Sequence, residues 1–340
     1  MTDLGRKIIQ FVGSPVDEFN AKLSRLYARA CAAALVEHHR VGFAHVAPGG
    51  TWQFPDGLDA ESLAAAEPLP AAAGIARLAG MHPDVVLPQM FCHPGMTSYR
   101  ALLDVLELPY LGNTATVMAN TADKAVARAL VAAHGVAVPA GRVVTHADEV
   151  DLSLPVVVKP ARSDNSMGVS LVADRAEVAA AVARAKAHSA DVLVETYVPL
   201  GREVRCGVLE LDGRLECLPL EEYALDAPIR LPADKLGRSG GGDLRLVAGD
   251  AGRAWIVDHD DPVVEPVWRA ARACFRALGC RHYGLFDFRI DPHGVPWFLE
   301  AGPYCSFAPS SVIVKMAAAQ GVSLAELFDT LCREARIEAA

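Results

Sequence analysis

Two different patterns of apolar and polar residues divide the chain near residue 120. Before it, short apolar stretches alternate with segments in which apolar residues recur at helical spacing. The predicted strands are Lys7–Val12, Asp84–Pro88 and Pro109–Gly112, and the predicted helices are Phe19–Val36 and Thr97–Leu106. This alternation predicts an N-terminal α/β domain over residues 1–120 with a mostly parallel sheet.

After residue 120, strands follow one another with few helices between them. A helix at Thr121–His134, starting from a threonine cap, opens this part. The segments PVVVKPA, DVLVETYV, REVRCGVLEL and RLECLPL come next, and their apolar pattern predicts an antiparallel sheet. A helix at Pro262–Leu278 and the strands GLFDFRI and VPWFLE follow, with a turn at Asp291–Gly294 between the strands.

Composition and charge narrow the class of protein. The 340 residues are 52% hydrophobic, which is enough apolar material for two or three domains or subdomains. The net charge of -9 and the lack of a basic stripe argue against a nucleic-acid partner. No long apolar stretch or leader pattern is found in the sequence, so we expect a cytoplasmic protein without a membrane partner. A homodimer is the expected assembly.

Eight cysteines are spread through the chain without a CxxC pair or the spacing of zinc ligands. We expect them to be reduced and buried. Cys305 lies in a loop of small polar residues, but no nearby histidine or basic pattern points to an activated thiolate.

A pair of acids marks the last two predicted strands. If an even number of residues connects these strands, Asp287 and Glu300 point to the same face as diagonal neighbours, about 7 to 8 Å apart at the backbone. Two such carboxylates can hold Mg2+, whose remaining positions take water and phosphate oxygens. Arg289 shares this face by the same parity, so a structural salt bridge with one of the acids is the alternative.

A lysine-tipped hairpin is predicted at residues 155–172. Lys159 ends an apolar strand there, and a small polar loop leads through Asn165 and Ser166 to Gly168 before the next strand. The lysine and the backbone N–H groups of the loop suit phosphate oxygens. An exposed hairpin tip with a solvated lysine is the alternative.

Two further acids flank an apolar turn in VLVETYVPLGREV, residues 192–204. The apolar turn offers walls for a purine, and Glu195 or Glu203 offers a carboxylate for ribose hydroxyls. The alternative is that both glutamates are ordinary surface acids.

The order of these parts resembles the ATP-grasp enzymes, specifically the D-alanine–D-alanine ligase branch, from about Thr121 to Phe328. The resemblance implies ATP and Mg2+ as cofactors, with Mn2+ as an alternative metal. It implies an α/β fold with α+β subdomains and a Rossmann-like preATP-grasp domain at 1–120. A lid subdomain at 121–215 and a C-terminal subdomain with the metal site at 216–340 would complete the ATP-grasp fold.

The resemblance also implies residue roles. Asp287 and Glu300 would bind the metal, the two lysines the ATP phosphates, and the two glutamates adenine and ribose. The nucleotide-binding residues implied are Lys124, Lys159, Asn165, Ser166, Gly168, Glu195, Val198, Glu203 and Lys235. The loop from Glu221 to Val257, which contains Lys235, would close over the nucleotide. The implied reaction phosphorylates a carboxylate and lets an amine displace phosphate.

Several positions depart from the ligase pattern. The asparagine two residues after the metal-binding glutamate is Gly302, and the oxyanion-holding arginine two residues before the aspartate is Leu285, for which Arg289 is a candidate substitute. The N-terminal HGxxGEDG loop corresponds to MFCHPGMT, residues 90–97. The glutamate that reads the first D-alanine has only Asp17 or Glu18 as counterparts. These departures indicate different substrates.

The segments LPQMFCHPGMTSYRALLD, LPLEEYALDAPIR, WIVDHDDP and LEAGPYCSFAPSSV resemble the D-alanine ligase-like enzymes of mycosporine-like amino acid biosynthesis. That resemblance implies coupling of an amino acid such as serine or threonine to mycosporine-glycine, through phosphorylation of a vinylogous acid oxygen. The predicted substrate residues are Asp17, Gln89, His93, Tyr99, Arg100, Tyr304, Ser306 and Ser311, and the predicted catalytic residues are Lys159, Arg289 and Ser306.

Alternatives stay open at this point. His93 and Tyr99 are equally explained as ordinary loop and helix residues. The chain could be a D-alanine–D-alanine ligase, another peptide or amide ligase, or a nucleotide-binding regulator without catalysis.

Overall fold

The computed structural model describes residues 5–163, 166–230, 236–238, 244–246 and 253–339. Asn165 and Lys235, both predicted to bind nucleotide, lie outside the described residues, as do the three glycines at 240–242.

The N-terminal part is built around a sheet of parallel strands. Its elements are β1 (Lys7–Gly13), α1 (Glu18–Leu35), β2 (Arg40–Val46), β3 (Trp52–Gln53), α2 (Ala60–Ala65), α3 (Ala71–Gly80), β4 (Val85–Pro88), α4 (His93–Met96) and α5 (Ser98–Val105). The strand order is β3-β2-β1-β4, with β1 parallel to both β2 and β4. The prediction of a mostly parallel sheet is confirmed.

Two details of this sheet differ from the sequence prediction. The pattern does not predict β2, because RVGFAHV is partly exposed over its first half and lacks a continuous apolar run. The predicted strand at Pro109–Gly112 contributes a single bridge, between Val86 and Tyr110. It is too short to form a ladder before Gly112 turns the chain with a φ of +110°.

The predicted helix at Thr121–His134 is two helices, α6 (Ala115–Ala122) and α7 (Lys124–Ala133). The break is at Asp123, whose carboxylate accepts hydrogen bonds from the backbone N–H groups of Ala125 and Val126. Such an N-cap fixes where a helix begins. Lys124 therefore stands at the first position of α7, with its side chain free to leave the helix axis.

A four-stranded antiparallel sheet follows. Its elements are β5 (Gly141–Val144), β6 (Val156–Pro160), β7 (Ser170–Val172), α8 (Val178–Lys186) and β8 (Val192–Thr196), in the strand order β5-β8-β6-β7. α8 packs its valine and alanine side chains on this sheet. The β6–β7 hairpin carries the predicted phosphate loop, as the sequence indicates.

The third sheet is the largest. Its strands are β9 (Arg202–Leu211), β10 (Arg214–Cys217), β11 (Glu221–Tyr223), β14 (Ala254–Ile256), β15 (Tyr283–Ile290) and β16 (Pro296–Ala301), and β12 (Leu236–Arg238) pairs with β13 (Leu244–Leu246) separately. The helices of this part are α9 (Val264–Leu278), α10 (Val312–Ala319) and α11 (Leu324–Ala339). The strand pairings are antiparallel, as predicted. Because β9 and β10 belong to this sheet, the predicted boundary at 215 does not coincide with the change of sheet.

The third sheet is buried on both sides. Alternate residues of β9 and β15, such as Cys206 and Phe286, pack against α7 and α9. On the other side, α10 and α11 join the third sheet to the N-terminal sheet through a shared core that includes Ile8, Tyr283 and Phe328. Within the described ranges, no helix is both long and apolar enough to cross a membrane.

Candidate functional site

Charged residues line the face of β15 that α9 does not cover. Phe286, Phe288 and Ile290 point into the core, so strand alternation directs Asp287 and Arg289 to the opposite face. The site therefore begins with the sequence of one strand, which is apolar on one face and carries an acid and an arginine on the other.

Asp287 and Glu300 are direct cross-strand partners. Near the turn, Ile290 pairs with Pro296 and Phe288 with Phe298, a register that would place Glu300 on the opposite face from Asp287. The register shifts by one residue at Leu299, and this β-bulge brings Glu300 opposite Asp287. The predicted shared face is therefore correct, but the predicted diagonal arrangement is wrong, because the connection has an odd number of residues and a bulge compensates.

Two cavities meet at these acids. The first cavity lies between the β6–β7 hairpin and the third sheet, and its lining includes Lys159, Ser166 and Glu203. The second cavity lies beside the N-terminal part, has a volume of about 470 Å³, and includes Tyr27, Phe91 and Tyr304 in its lining. The residues that line both cavities are Lys124, Arg230, Asp287 and Glu300. A group transferred between molecules in the two cavities would pass these four side chains.

Lys124 connects the hairpin to the acid pair. Its Nζ donates a hydrogen bond to the backbone oxygen of Ser163 and lies 3.9 Å from Oε2 of Glu300. The Asp123 cap sets the start of α7 and thereby the direction of this side chain. The resemblance implies that Lys124 binds ATP phosphates, and the structure brings its side chain to both the hairpin and the acid pair.

Lys159 is buried and ion-paired. Its Nζ lies 2.5 Å from Oε2 of Glu195, and Nε of Arg128 lies 3.1 Å from the other oxygen of that carboxylate. Both Lys159 and Glu195 line the first cavity. The alternative of a solvated lysine at a hairpin tip is therefore wrong, and Glu195 is no surface acid.

The loop after Lys159 turns tightly into the first cavity. Ser166 and Gly168 have φ values of +58° and +73°, and Ser166 lines the cavity. A Cβ at Gly168 would lie 2.8 Å from Cδ2 of His188 and 2.9 Å from Cγ of Pro160. The loop therefore needs glycine at 168 both for its backbone conformation and for its packing.

Glu203 is paired with Arg289 inside the first cavity. Arg289 donates from Nε to Oε1 of Glu203 at 2.9 Å and from its NH1 group to the backbone oxygen of Val198 at 3.1 Å. All three residues line the cavity. The salt bridge considered for Arg289 exists, but its partner is Glu203 on the neighbouring strand and not Asp287 or Glu300, because Arg289 and Glu203 are direct partners across β9 and β15.

Arg205 and Arg230 are site residues that the sequence reasoning missed. Arg205 is the cross-strand partner of Asp287 on β9, and its Nε lies 3.7 Å from Oδ2 of Asp287. The NH1 group of Arg230 lies 4.0 Å from the same oxygen. The available signal was the period of two in REVRCGVLEL, which puts Arg205 on the same face as Glu203. Arg230 carried no such signal, since it lies in an irregular segment.

Three predicted substrate residues line the second cavity. Tyr304 is exposed and lies 5.9 Å, centroid to centroid, from the ring of Phe91, which in turn contacts Tyr27. Ser306 and Ser311 complete this side, and Ser311 occupies the cap position of α10. Cys305 is buried, and burial raises the pKa of its thiol to about 11. That pKa argues against a thiolate nucleophile, as the sequence does.

Five predicted substrate residues have other positions, and the structure does not bring them to either cavity. These residues are Asp17, Gln89, His93, Tyr99 and Arg100. Asp17 is exposed and caps α1 by accepting a hydrogen bond from the backbone N–H of Asn20 at 2.8 Å. Tyr99 packs against Phe11 and Trp52 in the N-terminal core. His93 is exposed at the start of α4.

Gln89 and Arg100 act as buried connections. Gln89 donates from Nε2 to the backbone oxygen of Ser306 at 2.6 Å, which ties the N-terminal sheet to the loop beside the second cavity. Arg100 donates to the backbone oxygen of Asn113 at 2.7 Å. The motif that contains these two residues does not show the direction in which the backbone points their side chains.

The donors at the junction fit a small divalent cation. Asp287 and Glu300 offer carboxylate oxygens on one face, and Mg2+ accepts one or two carboxylates with water and phosphate oxygens in its other positions. Among the described residues, no group of three or more His, Cys, Asp and Glu side chains is placed to hold a metal. Gly302 adds no side-chain ligand, so the pair of acids is the protein's contribution.

Comparison with known proteins identifies the family. The family model described as the D-ala D-ala ligase C-terminus matches residues 137–333. The chain belongs to the D-alanine–D-alanine ligase family. It is 34% identical over 262 residues to the D-alanine--D-alanine ligase of Mycobacterium bovis, which covers 74% of this chain and 68% of the relative. A relative from Anaeromyxobacter, with the same name, is 31% identical over 249 residues, covering 71% and 75%.

Solved structures of this family have the same fold. The VanG D-Ala:D-Ser ligase of Enterococcus faecalis superposes with a TM-score of 0.77 at 20% identity, covering 97% of this chain and 99% of that one. The D-alanine--D-alanine ligase of Bacillus anthracis complexed with ATP gives 0.71 at 19% identity, covering 98% and 100%. The protein is thus an ATP-grasp ligase that forms a C–N bond, with the predicted α/β architecture.

Proposed function

We propose that this enzyme phosphorylates an acid with ATP and couples it to an amino acid, releasing ADP and phosphate. The facing pair of Asp287 and Glu300 carries the proposal, because it stands where the two cavities meet. In the first step a carboxylate or vinylogous acid oxygen forms a bond to the γ-phosphorus while the bond to the ADP oxygen breaks. In the second, an amine attacks the activated carbon and phosphate leaves.

The first cavity is the proposed nucleotide site. Lys124, Lys159 and the loop from Ser166 to Gly168 would bind phosphates, and Glu195, Val198 and Glu203 would surround the nucleoside. Its apolar lining, including Val157, Val169 and Leu299, suits a purine ring. Mg2+, or Mn2+ as the alternative, would neutralise phosphate charge when bound at Asp287 and Glu300. Arg289 orients Glu203 in this scheme instead of touching the reacting atoms.

The second cavity is the proposed acid site. Its described lining holds only Asp287 and Glu300 as acids, so it offers no separate carboxylate for the ammonium group of D-alanine. The two candidate counterparts are engaged elsewhere: Asp17 caps α1, and Glu18 lies 2.6 Å from the guanidinium of Arg25. An aromatic wall takes their place. These features support a larger acid, and we propose mycosporine-glycine, with serine or threonine as the amine.

A D-alanine–D-alanine ligase is the second candidate, favoured by the relatives that carry that name. A screen of ADP release decides between them. The purified protein is incubated with ATP, Mg2+ and either D-alanine alone or mycosporine-glycine with serine or threonine, and products are identified by mass spectrometry. Fast dipeptide formation from D-alanine would overturn the substrate proposal. ATP binding without ADP release from any pair would favour the non-catalytic regulator.

A further inference from the structure

Two arginines that line the second cavity stack on the ring of a tyrosine that lines the first. The guanidinium carbon of Arg205 lies 4.9 Å from the ring centroid of Tyr223, and that of Arg230 lies 4.1 Å from it. Tyr223 is buried, and burial raises the pKa of its hydroxyl well above the usual value, so the ring stays neutral. The ring thus holds two positive groups close together without cancelling their charge.

Several donors of this stack have no hydrogen-bond acceptor. The buried atoms Nε of Arg205, and Nε and Nη1 of Arg230, make no hydrogen bond, and Nη1 of Arg205 makes a long hydrogen bond of 3.5 Å to Oε2 of Glu221. The carboxylate of Asp287 is near both guanidinium groups but at 3.7 and 4.0 Å, beyond hydrogen-bond distance. Arg289, the buried arginine of the first cavity, has acceptors in both Glu203 and the Val198 carbonyl. Buried charged donors without acceptors are costly, so the stack is suited to an anion.

The stack lies where such an anion would react. Arg205 and Arg230 both line the second cavity, and Arg230 and Asp287 also line the first. On β15, the residue two positions before Asp287 is Leu285, which faces the second cavity without a charge. The positive charge beside Asp287 therefore comes from Arg205 in β9 and from Arg230 in the segment after β11.

We propose that Arg205 and Arg230 bind the carboxylate, or carboxylate-like oxygen pair, of the acid in the second cavity. This inference rests on the proposed function, and it assigns the acid-binding residues of this chain. One oxygen of the acid stays on the guanidinium donors while the other forms the bond to phosphorus and ADP leaves. The same donors then stabilise the negative charge on that oxygen when the amine adds.

Binding measurements with matched acids and amides test this assignment. The probes are D-alanine with D-alaninamide, and 3-phenylpropanoate with 3-phenylpropanamide, titrated calorimetrically in the presence of ADP and Mg2+. We expect the wild type to bind at least one acid about 10- to 100-fold more tightly than its amide. Arg205→Met should remove that preference, and Arg205→Lys should restore part of it.

Controls separate this inference from the proposed function. Arg205 lines only the second cavity, so ATP affinity in Arg205→Met should stay within about twofold of the wild type. Arg230→Met is the second variant in case Arg205→Met does not fold, and Arg214→Met, an exposed arginine of β10, is the matched control. A wild type without any acid preference, or a preference that persists in both variants, overturns the inference. A wild type that does not bind ATP overturns the proposed function together with it.

Discussion

Asp287 and Glu300 face each other across β15 and β16 only because Leu299 is an extra residue in β16. Without the bulge, the register set at the turn would turn Glu300 away from Asp287. The two carboxylates thus form a pair because Leu299 bulges out of the ladder and takes no partner in β15.

Loss of either carboxylate should impair the reaction. In Asp287→Asn and Glu300→Gln we expect the rate of ADP release to fall about 100-fold and the Mg2+ concentration for half-maximal rate to rise, because each change removes charge from a site for a hard cation. A Mg2+ titration of steady-state rates measures both effects. Glu216→Gln, in an exposed acid of β10, is the control and should match the wild type. Unchanged Mg2+ dependence in both variants would exclude the pair as metal ligands.

Deleting Leu299 should remove the bulge and leave the two acids opposite each other. We expect the deletion variant to keep ADP release within about tenfold of the wild type, because Phe298 still pairs with Phe288 and Glu300 then follows it directly, opposite Asp287. Leu299→Ala keeps the residue count, and its rate should stay within about tenfold of the wild type. Circular dichroism and thermal melting check that both proteins fold. Loss of ADP release in a folded deletion variant, to the level of Glu300→Gln, would contradict this account of the pairing.

Lys159 should matter for phosphate binding rather than for folding alone. In Lys159→Ala we expect turnover to fall about 100-fold or more, with weaker ATP binding, because a buried cation beside the first cavity is lost. Arg128 still pairs with Glu195 in this variant, which limits the structural damage. Lys186→Ala, in an exposed lysine of the same subdomain, serves as the control. Equal ATP affinity and turnover in Lys159→Ala would remove this lysine from the mechanism.

Gly168→Ala should disturb the hairpin more than a comparable glycine substitution elsewhere. Gly213 has a similar φ of +70°, but a Cβ there meets nothing within 4 Å. We expect Gly213→Ala to cost about 1 kcal/mol of stability without affecting ATP, and Gly168→Ala to weaken ATP binding about tenfold as the loop shifts away from His188 and Pro160. Thermal melts and ATP titrations of both variants make the comparison. The same ATP affinity in both would show that the loop tolerates a side chain at 168.

His45 should make stability depend on pH. Burial, and then the charge of Arg25, lower the pKa of His45 to about 4. The unfolded chain takes up this proton first, so the stabilisation is present above the unfolded pKa of about 6.5 and is lost as the pH falls toward 4. When the pH is lowered from about 7.5 to 5, His45 should reduce the free energy of unfolding by about 2 kcal/mol. The His45→Gln variant should not show this loss. Urea unfolding of both proteins at the two pH values measures this difference. Equal changes in the free energy of unfolding of the two proteins would contradict the role of His45.

The strand pattern was sufficient to predict much of the site. The period of two placed Asp287 and Arg289 on one face of their strand, and the apolar strand before Lys159 placed that lysine at the hairpin. The bulge at Leu299 was not predictable, because a run such as VPWFLE carries no mark of an extra residue. Neither was the partner of Arg289, since pairing between β9 and β15 joins residues 86 positions apart.

The substrate side was harder to predict for a different reason. Gln89, Tyr99 and Arg100 belong to segments whose motifs suggested function, but their side chains take part in packing and in connections between sheets. Arg230 is brought to the site by an irregular segment, in which the spacing of apolar residues does not predict where a side chain points. Sequence patterns predict which side chains share a face of a helix or strand. The residues that line a cavity between such elements are known only from the tertiary structure.

The position of Lys124 links nucleotide binding to metal binding, two events that could otherwise be independent. Its ammonium group bonds to the hairpin backbone at Ser163 and lies near Glu300, so movement of the hairpin toward a nucleotide changes the electrostatic environment of the metal-side acid. By reciprocity, neutralising Glu300 with a cation changes the free energy of moving the hairpin. One lysine therefore gives this enzyme the means to make the arrival of nucleotide and of metal cooperative.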